Sequence, residues 1–276
     1  MPTVPIQPCS RFIHSMTSVT DPIVGRPPRL GASIALVLGA FLLVGLTLPL
    51  AGAGRIGLAA AAGAFACYGL GALLIWLKLD RLGRARFGAA NLITVLRGAL
   101  IALLPAFIIE GREPDAVLGW AILAGGTFAL LLDGVDGRLA RHLDEATGFG
   151  ARFDMEVDAA FVLLLSVLVW TAGRAGAWVL LSGLMRYLWL AAALAFPLLN
   201  RSLPPSFLRK AICVLQLMLL LAALVPGLAA PWPAHLAASG LGLLILSFGR
   251  DLVWLISGGG MAPASRAPYL EDSGCV

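Results

Sequence analysis

Long apolar runs broken by short polar ones set the pattern of this chain. Runs near the spanning length of about 20 residues occupy roughly 31–51, 56–77, 92–109, 115–137, 151–172, 176–197, 208–228 and 235–257. They predict an all-α, polytopic membrane helix bundle of eight helices. The first two runs are parted only by AGAGR and are rich in glycine, so a re-entrant hairpin is the alternative there. Ahead of them, residues 1–30 carry Pro2, Pro5, Pro8, Pro22, Pro27 and Pro28 with Arg11, Arg26 and Arg29. Charge and proline interrupt that segment before any signal-type apolar region forms, so it reads as a disordered cytoplasmic tail. Residues 78–90 interleave Lys78, Arg81, Arg84 and Arg86 with Leu79, Leu82 and Phe87. This is the pattern of an amphipathic segment lying in the membrane interface, with a plain charged linker as the blander alternative. The expected divisions are therefore a tail (1–30), two N-terminal helices (31–77), the interfacial segment (78–90), a six-helix membrane domain (91–258) and a C-terminal tail (259–276).

Composition sharpens this picture. With 59% hydrophobic residues, 13% charged ones and a mean hydropathy of +0.91, the chain is an integral membrane protein and not a soluble domain. The net charge of +5 comes mostly from arginines. In such a chain it speaks of topology and of anionic lipid or phosphate, not of nucleic acid. Basic residues concentrate in the tail, in 78–90, 138–152 and 201–210 and at the C-terminus, while the alternate loops hold at most one each. By the positive-inside rule both termini and the 138–152 loop face the cytoplasm, as in a bacterial inner membrane. Cys9, Cys67, Cys213 and Cys275 show no metal-type spacing and read as free thiols. No internal repeat is evident.

Against this background one stretch stands out: DGVDGRLARHLDEATGFGARFDMEVD, from Asp133 to Asp158. A carboxylate at membrane depth costs about 3 kcal/mol on insertion scales and marks function. If the preceding helix continues through Asp136, then Asp133 and Asp136 share a face, as do Asp154 and Asp158 on the next helix. Two carboxylates from each of two facing helices make an all-oxygen pocket suited to Mg²⁺ or Mn²⁺. A metal is the natural counter-charge for acids so close together. The competing reading is a charged loop whose acids merely pair with Arg138, Arg141 and Arg152.

The spacing argues against that loop. Asp133, Asp136, Gly137, Ala140, Arg141, Gly150, Asp154 and Asp158 fit D-x2-D-G-x2-A-R-x8-G-x3-D-x3-D. A chance match at ordinary residue usage is rarer than about 10⁻⁷. The run resembles the signature of the CDP-alcohol phosphatidyltransferase family, with every position present. The resemblance implies a six-helix catalytic core, here preceded by two extra helices and the interfacial segment. It implies transfer of a substituted phosphoryl group from a CDP-alcohol, usually CDP-diacylglycerol, to a second alcohol with release of CMP. It also implies Asp133, Asp136 and Asp154 as ligands of divalent ions, two in number. Asp158 would be the general base and would also reach the second ion. Gly137 and Ala140 would leave room for the cytidine nucleotide, Gly150 belongs to the same nucleotide-facing set, and Arg141 would meet its phosphates. Family members commonly pair as homodimers.

Other polar positions are weighed beside this run. Asn91, Thr94 and Arg97 step along one side of the helix that leads into it. They resemble the N-x2-T-x2-R run that precedes the signature in many members, implying roles near the nucleotide pyrophosphate. The alternative is an N-cap at Asn91 with a snorkelling arginine. Arg97, about two turns into the membrane, demands a partner. Arg186 is a cation near mid-span beside Tyr187. It either pairs with helix carbonyls or an aspartate, or helps Arg152 bind an anionic acceptor. Arg209 and Lys210 add to a basic rim or simply obey the positive-inside rule. Arg250 and Asp251 read as a local pair, Glu156 should point away from the metals, and Trp232 reads as an interfacial anchor.

Two rivals remain. Family relatives take CDP-choline or CDP-ethanolamine with diacylglycerol as acceptor, and the signature does not separate them. The size of the chain and its arginines favour a CDP-diacylglycerol donor and a polar or phosphorylated alcohol. An intramembrane acid cluster also suits a cation transporter, although the repeated, broken helices of that class are not evident.

Overall fold

The structure, a computed structural model, describes residues 28–79, 87–111, 115–142, 148–200 and 206–257, without the side chains of 28, 136–149, 197 and 200. The side chains of Asp136, Ala140 and Arg141, most of the basic stretch (Arg81, Arg84, Arg86), both tails, Cys9 and Cys275 thus lie outside the described residues.

All regular structure among the described residues is helical. The elements are α1 (Pro28–Gly52), α2 (Leu58–Lys78), α3 (Ala89–Ile101), α4 (Leu104–Glu110), α5 (Ala116–His142), α6 (Gly148–Thr171), α7 (Leu180–Ala195), α8 (Phe207–Ala223) and α9 (Trp232–Ile256). Each expected run has become a helix, with one break. The run expected at 92–109 divides into α3 and α4 at Ala102 and Leu103, just before Pro105. A proline has no N–H to donate and its ring collides with the carbonyl four residues back, so the helix restarts around it.

Among the described residues, six helical passes are long and apolar enough to cross a membrane: Arg29–Gly52, Leu58–Lys78, Ala89–Glu110, Ala116–Val135, Ala177–Ala195 and Trp232–Ile256. α1 and α2 are both in that set, so each has the length of a full span and the re-entrant alternative is not needed. α6 and α8 fall outside it. α8 has 17 residues, and the first half of α6 carries Asp154, Glu156 and Asp158. Large apolar side chains such as Phe41, Leu131, Leu194 and Leu246 stay exposed on outer faces, as helices bathed in lipid allow.

The core collects small and branched side chains. Leu43 of α1, Ala60 and Ala64 of α2, Ala106 of α4, Phe161 and Leu165 of α6 and Leu220 of α8 form one buried cluster. Small residues let helices approach closely where apolar burial by itself supplies little force. Gly183 of α7 shows this, since a Cβ there would stand 2.4 Å from the Leu163 Cα of α6.

The extra hairpin α1–α2 is pinned at its turn. The Arg55 Nη1 donates to both Asp115 carboxylate oxygens at 2.8 and 2.5 Å. The Gly57 N–H donates to Glu110 Oε2 at 2.9 Å. Asp115 also caps α5, accepting from the Leu118 N–H at 2.7 Å. Within the hairpin, the Tyr68 hydroxyl donates to the Leu36 carbonyl at 2.6 Å. Beyond it, α1 packs on α3 and α2 on α4, while α3 packs on α5 and α6, and α8 closes against α5, α6 and α9.

Candidate functional site

The meeting point of α3, α5 and α6 gathers the chemistry. α5 runs unbroken past Asp133 and Asp136 to His142, so those two are one turn apart on a continuous helix. α6 begins at Gly148, which places Gly150, Asp154 and Asp158 in its opening turns. Asp133, Asp154 and Asp158 each direct one carboxylate oxygen into a common space, all within 4.8 Å of one another. Hard oxygen donors at that separation fit a Mg²⁺ or Mn²⁺ ion.

Arg97 of α3 reaches into the same space. Its side chain is only 1% exposed. Its Nη1 donates to Asp133 Oδ1 at 2.5 Å, and its Nη2 donates to Asp154 Oδ1 and lies 3.2 Å from Asp158 Oδ1. One guanidinium therefore clamps acids from α5 and α6. The partner that the sequence demanded for Arg97 is this set of acids, contributed by two other helices. The acids described do not turn to Arg152, which is exposed on α6, and Arg97 buries itself in ion pairs instead of snorkelling. Arginine stays protonated in any environment, so such burial requires this anionic company.

Asn91 and Thr94 lie on the same face of α3 and are both buried. The Thr94 Oγ1 donates to the Ala90 carbonyl at 3.1 Å. Asn91 is not the N-cap, because Gly88 holds that place and α3 starts at Ala89. Gly137 sits within the backbone of α5, and at Gly134 a Cβ would meet open space.

Arg186 is not a lone cation. Its Nη2 donates to Glu156 Oε1 at 2.7 Å across the α6–α7 seam. Glu156 accordingly stands apart from the three converging aspartates, as its place two residues from Asp154 required. Asp251 has two arginines: the expected neighbour Arg250 at 3.3 Å and, nearer, Arg209 of α8 at 3.1 Å. Cys67 and Cys213 are free thiols.

Below the acids lies a feature that no sequence motif announced. A cavity of about 290 Å³ is lined by Gly45 of α1, Ile101 of α3, Phe107 of α4, Gly125 and Ala129 of α5 and Phe161 of α6, among others. Ile101 follows Arg97 by four residues, Ala129 precedes Asp133 by four, and Phe161 follows Asp158 by three. On each helix the hollow thus starts one turn, about 4.5–6 Å, along the axis from the charged group. Its only sequence signal was the run of small residues AGG at 124–126 in α5.

Comparison with known proteins agrees with this architecture. A stretch of 82 residues is 39% identical to a "CDP-diacylglycerol--glycerol-3-phosphate 3-phosphatidyltransferase" of Pseudomonas fluorescens, covering 29% of this chain and 39% of that relative. The chain thus matches well under half of the length of that curated relative. No solved structure matches the chain. The family model described as CDP-alcohol phosphatidyltransferase matches residues 87–247, more than half of the chain and the whole of the α3–α8 region that carries the acids. By that match the chain belongs to the CDP-alcohol phosphatidyltransferase family.

Proposed function

We propose that the protein transfers a phosphatidyl group from CDP-diacylglycerol to a polar alcohol and releases CMP. The observation that carries this reading is the convergence of Asp133, Asp154 and Asp158 directly above an apolar cavity, within the region matched by the family. One substrate is then a lipid whose chains stay in hydrocarbon, and the other dissolves in water. A site at the boundary of the two media serves both.

Asp133, Asp136 and Asp154, with Asp158 reaching in, would hold one or two divalent ions. Bound there, such ions would supply charge neutralisation to the pyrophosphate and to the oxygens of the displacement. The side chains do the rest. Asp158 accepts the proton of the attacking hydroxyl, a new O–P bond forms to the phosphatidyl phosphorus, and the P–O bond to CMP breaks. Gly137, Ala140 and Gly150 would leave space for the cytidine, and Arg141, Asn91 and Thr94 would serve its phosphates. Arg152 and Arg186 meet an anionic acceptor. The relative's name makes glycerol 3-phosphate the first acceptor to try.

The distribution of basic residues supports placing both termini and this site on the cytoplasmic side of an inner membrane. The six-helix unit 91–258 would be the catalytic domain, and 31–77 an addition to it. A homodimer is the family's usual state and the expected one here.

The test is CMP release from CDP-diacylglycerol by purified protein with Mg²⁺ or Mn²⁺ across a panel of alcohols, with lipid products identified by mass spectrometry. Release with glycerol 3-phosphate or another polar alcohol supports the reading. Transfer from CDP-choline to diacylglycerol would move the protein to the sister activity. No release with any alcohol would sink the enzymatic reading in favour of a cation pathway.

A further inference from the structure

We propose that Arg97 is the resident counter-cation of the acid cluster, which it leaves when those acids ligate a divalent ion, passing then to the donor's phosphates. The inference rests on the metal-centred reading above and adds to it an internal competitor.

Three observations support it. Arg97 is almost wholly buried, and its two terminal nitrogens are used on the acids of α5 and α6. The oxygens it contacts are Oδ1 of Asp133, Oδ1 of Asp154 and Oδ1 of Asp158, drawn from the same three residues that converge to within 4.8 Å. A Mg²⁺ ion sits at about 2.1 Å from its oxygen ligands. Placed on oxygens that already accept from the guanidinium, it would stand only about 4 Å from the guanidinium nitrogens, where two cations repel. The two therefore compete for these oxygens.

The arrangement has a use in each state. Without an ion, carboxylates from two helices gathered this closely repel and would part α5 from α6. The guanidinium, brought by α3, holds all three helices together. With an ion present, the same side chain gives up these three carboxylates while keeping its charge, and a pyrophosphate is the anion to which its terminal nitrogens can pass. Ion and donor then bind cooperatively, and by linkage each raises the affinity of the other by the same factor.

The experiment measures Mn²⁺ binding to full-length protein by the electron paramagnetic resonance of free Mn²⁺, without donor. It compares the wild type with Arg97→Met. The Met variant is expected to bind Mn²⁺ about fivefold tighter or more. It should unfold at a lower temperature than wild type in EDTA, with the gap closing as Mn²⁺ saturates. The rise in CDP affinity that Mn²⁺ produces in the wild type should shrink in the variant. Unchanged or weaker Mn²⁺ binding by folded Arg97→Met, beside a wild type that binds, overturns this inference and leaves the metal reading standing. A wild type that binds no Mn²⁺ overturns both. Should the Met variant not be recovered folded, Arg97→Lys decides. Its single ammonium spans fewer carboxylates, so tighter Mn²⁺ binding supports the proposal and equal binding ends it.

Discussion

Arg186 Nη2 and Glu156 Oε1 lie 2.7 Å apart, joining α7 to α6 beside the aspartate-bearing turns. The two side chains are 28% and 47% exposed, so the pair by itself adds no more than about 1 kcal/mol to stability. Its interest is electrostatic, since Glu156 holds a guanidinium in readiness near the proposed acceptor space. Arg186→Gln should leave the KM for CDP-diacylglycerol near its wild-type value. It should raise the KM for an anionic acceptor about tenfold or more, the loss of a hydrogen bond to a charged group. Steady-state kinetics with each substrate varied in turn checks this, and equal change in both KM values would reduce Arg186 to a structural role.

Asp158 and Asp133 should separate in their effects. Asp158→Asn keeps the shape but cannot take a proton, so turnover should fall by about 10²–10⁴-fold with CDP binding largely spared. Asp133→Asn removes one of the three converging oxygens' charges and should weaken Mn²⁺ and CDP binding together. Equilibrium binding beside rate measurements distinguishes the two. Full activity of Asp158→Asn would remove it as the base.

The cavity below the acids invites a substitution at Gly125, which lines it and where a Cβ would meet open space. Gly125→Leu should fill part of the hollow, its Cβ meeting no neighbour within 4 Å. If an acyl chain of the donor lies there, the KM for long-chain CDP-diacylglycerol should rise about tenfold, since each buried methylene contributes about 0.8 kcal/mol. A short-chain donor should be little affected. A chain-length series of kinetic constants reads the outcome, and an unchanged series would place the chains elsewhere.

Asp115 carries a prediction about pH. The Leu118 N–H first, and Arg55 second, hold its carboxyl below the usual carboxylate range. A group whose pKa is depressed by folding contributes stability that is present above its unfolded value and is lost as pH falls through the folded one. The ordinary value is 3.8. The melting temperature of wild type should therefore exceed that of Asp115→Asn by a constant margin at neutral and mildly acidic pH, and the margin should narrow below about pH 4. Melting curves across that range test it. A margin that instead widens on acidification would show that the cap and the Arg55 pair do not act through the charge.

Much of this protein was legible without coordinates. Spacing of apolar runs alone located the helices, apart from the break between α3 and α4, because a bilayer imposes a similar length on each crossing. The positions of Asp133, Asp154 and Asp158 pointed to one centre, because side chains three or four apart on a helix share a face. Local rules also foresaw that Glu156 would turn away from its acidic neighbours, two residues being about half a turn.

The tertiary structure decided the partners. That Arg97 lies between Asp133 and Asp154, that Arg186 goes to Glu156, that Asp251 meets Arg209 as well as adjacent Arg250, and that Arg55 ties the α1–α2 hairpin to Asp115 all depend on which helices become neighbours. Helical periodicity states which side chains share a face but not what stands opposite. The opposite face is chosen by close packing of small residues such as Gly183 against Leu163, and the cavity under the acids is what that packing leaves unfilled.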